Sequence, residues 1–182
     1  MRLPTLLAAI LLLFYYNTLF AQSYKLAERN GFRDAKLGML KNELLGLVEE
    51  YPSDYAISTK GASYYANAKT YKRPGDKLEI GPFKIGSISY HFYKGRLSHI
   101  SMWISGEHNV AGIRNVFLKE YGQPDKLDHL NQSCLWESGA VRLRFDQRTG
   151  SDAAYVFISN TVIMEQRKID AKKNNKSVSS DL

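Results

Sequence analysis

The stretch from Leu78 to Ile104 most restricts what this chain can become. It is rich in β-branched and aromatic residues and is cut at short intervals by Gly81-Pro82, Gly86 and Lys94-Gly95, which is the residue chemistry of strands and tight turns. Strands joined by turns this short must run antiparallel, because a parallel neighbour needs a long crossover. With Ser63 to Tyr71, closed off by Pro74-Gly75, the segment predicts three or four antiparallel strands. The pattern returns later as Ser133 to Glu137, a Ser138-Gly139 turn, Ala140 to Asp146, then Ala153 to Ser159.

Helical spacing precedes each set of strands. Leu40, Leu44, Leu47, Val48 and Tyr51 recur at intervals of three and four with charged residues between them, and Pro52 would stop such a helix. Val110, Ile113, Val116, Phe117 and Tyr121 do the same, with His108 or Asn109 as the cap and Gly122 and Pro124 as the stop. A one-sided helix and a one-sided sheet each need a cover. The expectation is therefore an α+β fold of two helix-then-β-meander halves, about 32–104 and 105–160, with the helices packed on one face of an antiparallel sheet. From Thr161 onward, Ile163, Met164 and Ile169 suggest a short helix, and the lysines, asparagines and serines after it suggest a basic flexible tail over 161–182.

Hairpin geometry assigns individual residues to faces. A Ser138-Gly139 turn would pair Glu137 with Ala140, Trp136 with Val141 and Cys134 with Leu143. Cys134, Trp136, Val141, Leu143 and Phe145 then share the core face, while Leu135, Arg142 and Arg144 face outward. Cys134, the only cysteine among the 182 residues, reads as a packed small hydrophobe, and the chain has no intramolecular disulfide or multi-cysteine metal site. The Lys94-Gly95 turn pairs Tyr93 with Arg96 and Phe92 with Leu97. Leu97 is then out of phase with Ile100, Met102 and Ile104, so a β-bulge near Ser98 or His99 is expected. Whether His91 and His99 share a face depends on that bulge.

The N-terminus carries Arg2, the apolar run Leu6 to Tyr16, and then Asn17 to Gln22. This is the layout of a secretory signal peptide, with cleavage expected after Ala21. No cysteine lies at the cut, so a lipid anchor cannot form there. No other stretch is long and apolar enough to span a bilayer. The expectation is a periplasmic or secreted domain over 22–160, most simply from a bacterial envelope. Lys and Arg number 25 against 18 Asp and Glu, a net charge of +7, and the excess persists without Arg2.

Reactive constellations are missing. There is no G-x-S-x-G elbow, no phosphate-cradling G-x-x-x-x-G-K-[ST] loop and no G-x-G-x-x-G opening a helix. None of His91, His99, His108 and His129 sits at the i, i+4 spacing of a helical zinc pair. No cofactor and no metal are expected, nor catalytic residues at named positions. Aromatic and basic residues offer a binding surface instead: Tyr64, Tyr65, Tyr71, Lys72 and Arg73 in the first meander, Arg142 and Arg144 in the second. Period-two tyrosines with lysines also describe an ordinary half-buried edge strand.

Gly31-Phe32-Arg33-Asp34-Ala35-Lys36-Leu37-Gly38-Met39 leads into a leucine-rich segment, followed later by Tyr90-x-Phe92, Gly95-x-Leu97 and Lys119-x-Tyr121-Gly122-x-Pro124. Together these resemble small exported bacterial domains, in shape the SmpA/OmlA outer-membrane assembly lipoproteins and the tandem-repeat β-lactamase inhibitor proteins. The resemblance spans about Phe32 to Ile158 and implies a helix pair laid on antiparallel strands, with protein binding rather than catalysis. The chain departs from the lipoproteins in lacking their lipidated cysteine. The functional expectation is an exported, non-enzymatic binding module that meets an envelope protein or an anionic glycan or surface, and not nucleic acid. The alternative is a periplasmic or secreted hydrolase acting on an envelope glycan or peptide with groups drawn from distant strands.

Overall fold

The computed structural model describes residues 24–50, 67–130, 132–147 and 149–180. The signal-like segment over 1–21, Tyr64 and Tyr65 lie outside the described residues. Within them the chain is mostly β, built around one eight-stranded antiparallel sheet. Its strands are β3 (Val48–Glu50), β4 (Ala68–Lys72), β7 (Ser87–Tyr93), β8 (Arg96–Ser105), β9 (Lys126–Asp128), β10 (Ser133–Ser138), β11 (Val141–Gln147) and β12 (Ala153–Asn160). The spatial order is β3-β4-β7-β8-β12-β11-β10-β9. Two small hairpins stand apart from it, β1 (Gly31–Phe32) with β2 (Ala35–Lys36) and β5 (Glu79–Ile80) with β6 (Phe83–Lys84). The helices are α1 (24–29), α2 (Glu107–Tyr121) and α3 (Thr161–Ser180).

This architecture corrects the expectation of two helix-then-meander halves. The second meander is preceded by the expected packed helix, α2, which buries Val110, Ile113, Phe117 and Tyr121 as its spacing predicts. The leucine-rich segment before the first meander is not a helix. It makes one 3-10 turn at Lys41–Glu43 and then joins the sheet edge as β3, where Val48, Glu49 and Glu50 pair with Lys72, Tyr71 and Thr70. Gly46 lies between the two at φ +76°, a left-handed conformation that a helix cannot contain and that glycine adopts without a Cβ clash. Leu44 is buried, but Leu45 and Val48 stay exposed. The periodic leucines therefore gain too little burial to offset the cost of starting a helix.

The core lies on one side of the sheet, beneath α2. Leu97, Ile100, Ile104, Leu143, Phe145 and Val156 are wholly buried there. Phe117 of α2 meets Trp136 edge-on at 6.4 Å between ring centres, and the Trp136 indole N–H donates to the Gly122 carbonyl at the end of the helix at 3.0 Å. The opposite, outer side is partly crossed by α3. Asn160 Oδ1 accepts from the backbone N–H groups of Val162 and Ile163, and the Thr161 N–H donates to the Ala140 carbonyl, so the β10–β11 turn anchors the start of this helix. Running to Ser180, α3 replaces the short helix and flexible tail that the sequence suggests with one helix of 20 residues.

Register resolves both hairpins. The β10–β11 pairing is Ser138 with Val141, Trp136 with Leu143 and Cys134 with Phe145. The turn is thus Gly139-Ala140, one residue beyond the expected position. Each pair shifts by two residues, an even number, so the assignment of faces survives. In the β7–β8 hairpin Phe92 pairs with Leu97 and His91 with His99, leaving Ser98 as the extra residue of a bulge. Ser98 is fully buried and its hydroxyl donates to the His91 carbonyl at 2.7 Å.

Candidate functional site: the outer face of the sheet

Because side chains alternate along a strand, the residues skipped by the core form a second surface. Its first row runs across seven strands by direct pairing: Glu50, Thr70, His91, His99, Ser159, Arg142 and Glu137. A second row holds Ser89, Ser101, Phe157, Arg144 and Leu135, and a third holds Ser87, Trp103, Tyr155 and Asp146. The face is polar towards α3 and aromatic away from it.

The bulge at Ser98 puts His91 and His99 side by side, with rings stacked at 3.9 Å and only 3° from parallel. His91 Nδ1 lies 3.0 Å from Thr70 Oγ1 and Nε2 lies 2.8 Å from Ser101 Oγ. A serine, a histidine and an orienting hydroxyl in line have the outline of a hydrolytic trio. Ser101 nevertheless sits in mid-strand, paired with Ser89 on one side and Phe157 on the other. Its neighbouring backbone is committed to the ladder, so no pair of amide N–H groups faces the hydroxyl as an oxyanion hole would require. What the arrangement does chemically is bridge β4, β7 and β8 with shared protons. Among the described residues no group of three metal-ligating side chains comes together.

Next to the histidines, a groove of about 350 Å³ opens between the sheet and α3, lined by His99, Arg142, Arg144, Phe157, Ser159 and Lys168 among others. Arg142 and Arg144 point the same way because they are two apart on β11. Each is held by an acidic neighbour: Arg142 Nε donates to Glu137 Oε1 at 2.6 Å, Arg144 pairs with Asp146 at 2.6 Å, and Lys168 donates to Glu165 at 3.1 Å. Arg144 also lies over the Phe157 ring at 5.0 Å. The middle of α3 is latched by Asp170, which accepts from the Tyr93 hydroxyl at 2.7 Å, from Lys94 at 2.6 Å and from Gln166 at 2.8 Å. The Lys94 ammonium, with the Tyr93 hydroxyl and Gln166, holds the Asp170 carboxyl down to about 2.

Of the seven residues expected to bind, the five that are described do not form one surface. Arg142 and Arg144 are brought together in the groove. Tyr71 is corrected to a core residue: its strand turns that side chain to the inner face, where it is buried edge-on against Phe92 at 5.4 Å. Arg73 is corrected to an internal strut. It grips Asp34 with two hydrogen bonds of 2.7 and 2.9 Å and Asp76 with a third of 2.7 Å, while Tyr90 donates to the other oxygen of Asp76 at 2.7 Å. Burial first, then the Asp76 carboxylate, drives the Tyr90 phenol well above its usual range. Lys72 is exposed on the outer face but paired with Glu50 at 2.5 Å. Cys134 is buried in the core, where desolvation raises its thiol.

Sequence reasoning missed Trp103, Tyr155 and Phe157. Their signal was available in strict alternation with the core residues Met102, Ile104, Val156 and Ile158, which forces them outward. Comparison with known families, characterised proteins and solved structures gives no match for this chain.

Proposed function

We propose that this chain is an exported binding module of the bacterial envelope whose working surface is the outer sheet face, and that the groove under α3 receives an acidic group of its ligand. The observation that carries the reading is the pair Arg142 and Arg144, set side by side on one strand with Lys168 closing the groove from α3. Guanidinium groups bind carboxylate, sulfate or phosphate oxygens in pairs of parallel hydrogen bonds. Fixed by Glu137 and Asp146, they need little ordering when a ligand arrives. No described helix is long and apolar enough to cross a membrane.

Titration calorimetry of the full chain with dextran sulfate, and with unmodified dextran as the neutral control, tests this. The sulfated polymer binds, and replacing Arg142 and Arg144 together by alanine weakens it at least about tenfold, the scale of one lost charge-assisted contact. Undiminished binding by the double variant overturns the assignment of the groove.

A further inference from the structure

We propose that the pocket beneath the β1–β2 hairpin binds an aliphatic monocarboxylic acid of medium chain length, its chain against Phe32, Ile80 and Val116 and its carboxylate between Lys36 and the Tyr121 hydroxyl. The pocket lies on the inner side of the sheet and does not depend on the groove under α3.

Two small hairpins and a helix build it. β1 lies against β12. Arg33 opens the two-residue turn between β1 and β2 at φ +56°, a place that commonly goes to glycine. Its guanidinium ties this hairpin to β5 by donating to the Lys77 and Glu79 carbonyls, both at 2.7 Å. The β5–β6 hairpin is fixed in turn on α2. A Cβ at Gly112 would come within 2.1 Å of Phe83 Cε1, so the Phe83 ring is seated where the helix has no side chain. Ile80 pairs with Phe83, and cross-strand partners share a face, which brings Ile80 to the pocket wall. Opposite stand Val116, Phe117 and Tyr121 of α2, with Ile158 of β12. The cavity holds about 260 Å³. That is the liquid volume of roughly eight or nine waters at ~30 Å³ each, and a methylene takes up about as much, so a chain of about eight carbons fills it.

The charge of the rim decides what the chain must carry. Arg29, Arg33 and Lys36 line the pocket against a single carboxylate, Glu120. Arg29 is paired with that carboxylate at 2.6 Å, and Lys25 lies 4.0 Å from the same oxygen. Arg33 and Lys36 are held by neutral carbonyls only, Lys36 Nζ donating to the Arg29 carbonyl at 2.9 Å. Among the described residues neither pairs with a carboxylate. A carbonyl satisfies one proton and leaves the charge, and the ammonium keeps two more donors. Tyr121 is only 9% exposed, yet among the described residues its hydroxyl has no hydrogen-bond partner. Buried hydroxyls in folded chains are bonded as a rule. Burial raises the Tyr121 phenol, and the charges that act on it are those of Arg29 and Glu120. The hydroxyl therefore stands at the same end of the pocket as Lys36, which is bound to Arg29. A carboxylate at that end accepts from Tyr121 and answers Lys36, while a second negative charge would meet Glu120 and disfavours a phosphate dianion. The apolar walls leading away from it suit a hydrocarbon chain and offer little to the hydroxyls of a sugar.

The test is titration calorimetry of the full chain with octanoate, read alongside the methyl resonances of Ile80 and Val116. Octan-1-ol is the uncharged control and propionate the control without a long chain. One octanoate binds per chain and moves both methyl signals, and neither control binds comparably. Lys36→Gln keeps a donor for the Arg29 carbonyl and removes the charge; it weakens octanoate about tenfold, the scale of one charge-assisted hydrogen bond. Tyr121→Phe weakens it by a similar factor and leaves the urea midpoint of the empty chain unchanged, whereas deleting a hydroxyl that served the fold would lower that midpoint. Val116→Trp fills the cavity and abolishes uptake. Equal octanoate binding by the unaltered chain, Lys36→Gln and Tyr121→Phe overturns the proposal, as does octan-1-ol bound as tightly as octanoate, or no octanoate bound at all. Binding that is lost on replacing Arg142 and Arg144, with the Ile80 and Val116 methyls unmoved, also overturns it and moves the acid to the groove under α3. A chain that self-associates, excludes octanoate and becomes monomeric with Val116→Trp overturns it as well and makes the pocket a contact between copies.

Discussion

The two faces of the sheet are cut from the same strands and answer to different demands. On the inner face Leu97, Ile100, Phe145 and Val156 are fully buried beneath α2, and their chemistry is that of packing alone. On the outer face, residues one position away are serines, histidines, arginines and half-open aromatics. Tyr93 and Arg167 are buried where α3 crosses the outer side, while Trp103 and Tyr155, beyond it, stay 39% and 51% exposed.

The contrast breaks most sharply at Phe145. Phe145→Ala removes a ring with no exposed surface and costs about 3–5 kcal/mol by urea denaturation. Asp76→Ala acts at the node beneath β4 and β7. It strands the Tyr90 hydroxyl and one Arg73 donor in a buried setting and costs about 2–3 kcal/mol by the same measurement. On the other face Trp103→Ala costs less than about 1 kcal/mol, within the range of exposed substitutions. A loss at Trp103 as large as that at Phe145 would mean the outer face is a second core and would remove the contrast.

A smaller effect sharpens the comparison by isolating α3. The Asp170 carboxyl is held at about 2 in the folded chain, below the roughly 4 of an unfolded aspartate. A lowered carboxyl contributes stability that is fully present above the unfolded value and is lost as pH falls through the folded one. Between about pH 4 and pH 2, hydrogen exchange in α3 should accelerate before exchange in β8 and β12 does. Asp170→Asn should show the faster exchange already at neutral pH. Equal acceleration in helix and sheet would show that α3 belongs to the cooperative core.

How far the sequence speaks follows the same division. Strands β4, β7, β8, β10, β11 and β12, helix α2, the bulge at Ser98 and the facing of Cys134 and Trp136 were legible because alternation and helical spacing record burial directly. The leucines from 40 to 48 misled because a periodic run is only a stripe that could be covered. Gly46 and the open edge of β4 offered that segment a better use as β3. Tyr71 and Arg73 misled for a related reason. Aromatic and basic residues close together in sequence look like one surface, but Tyr71 turns into the core from β4 while Arg73, just past the end of that strand, closes a clasp with Asp34 and Asp76. The outer groove was half legible, since Arg142 and Arg144 share a strand face. His99 and Lys168 join them only through the β8–β12 pairing and the long course of α3, contacts that no local pattern records.

The strand order carries a consequence for how the molecule is made. β8 and β12 are direct neighbours at the middle of the sheet, yet α2 and three other strands lie between them in the chain. A chain in which only β3 through α2 has folded ends its sheet in the ten-residue β8, with that bonding edge open until β12 docks. That unfinished border is also where a fragment bearing β9 through β12, supplied separately, would find its place.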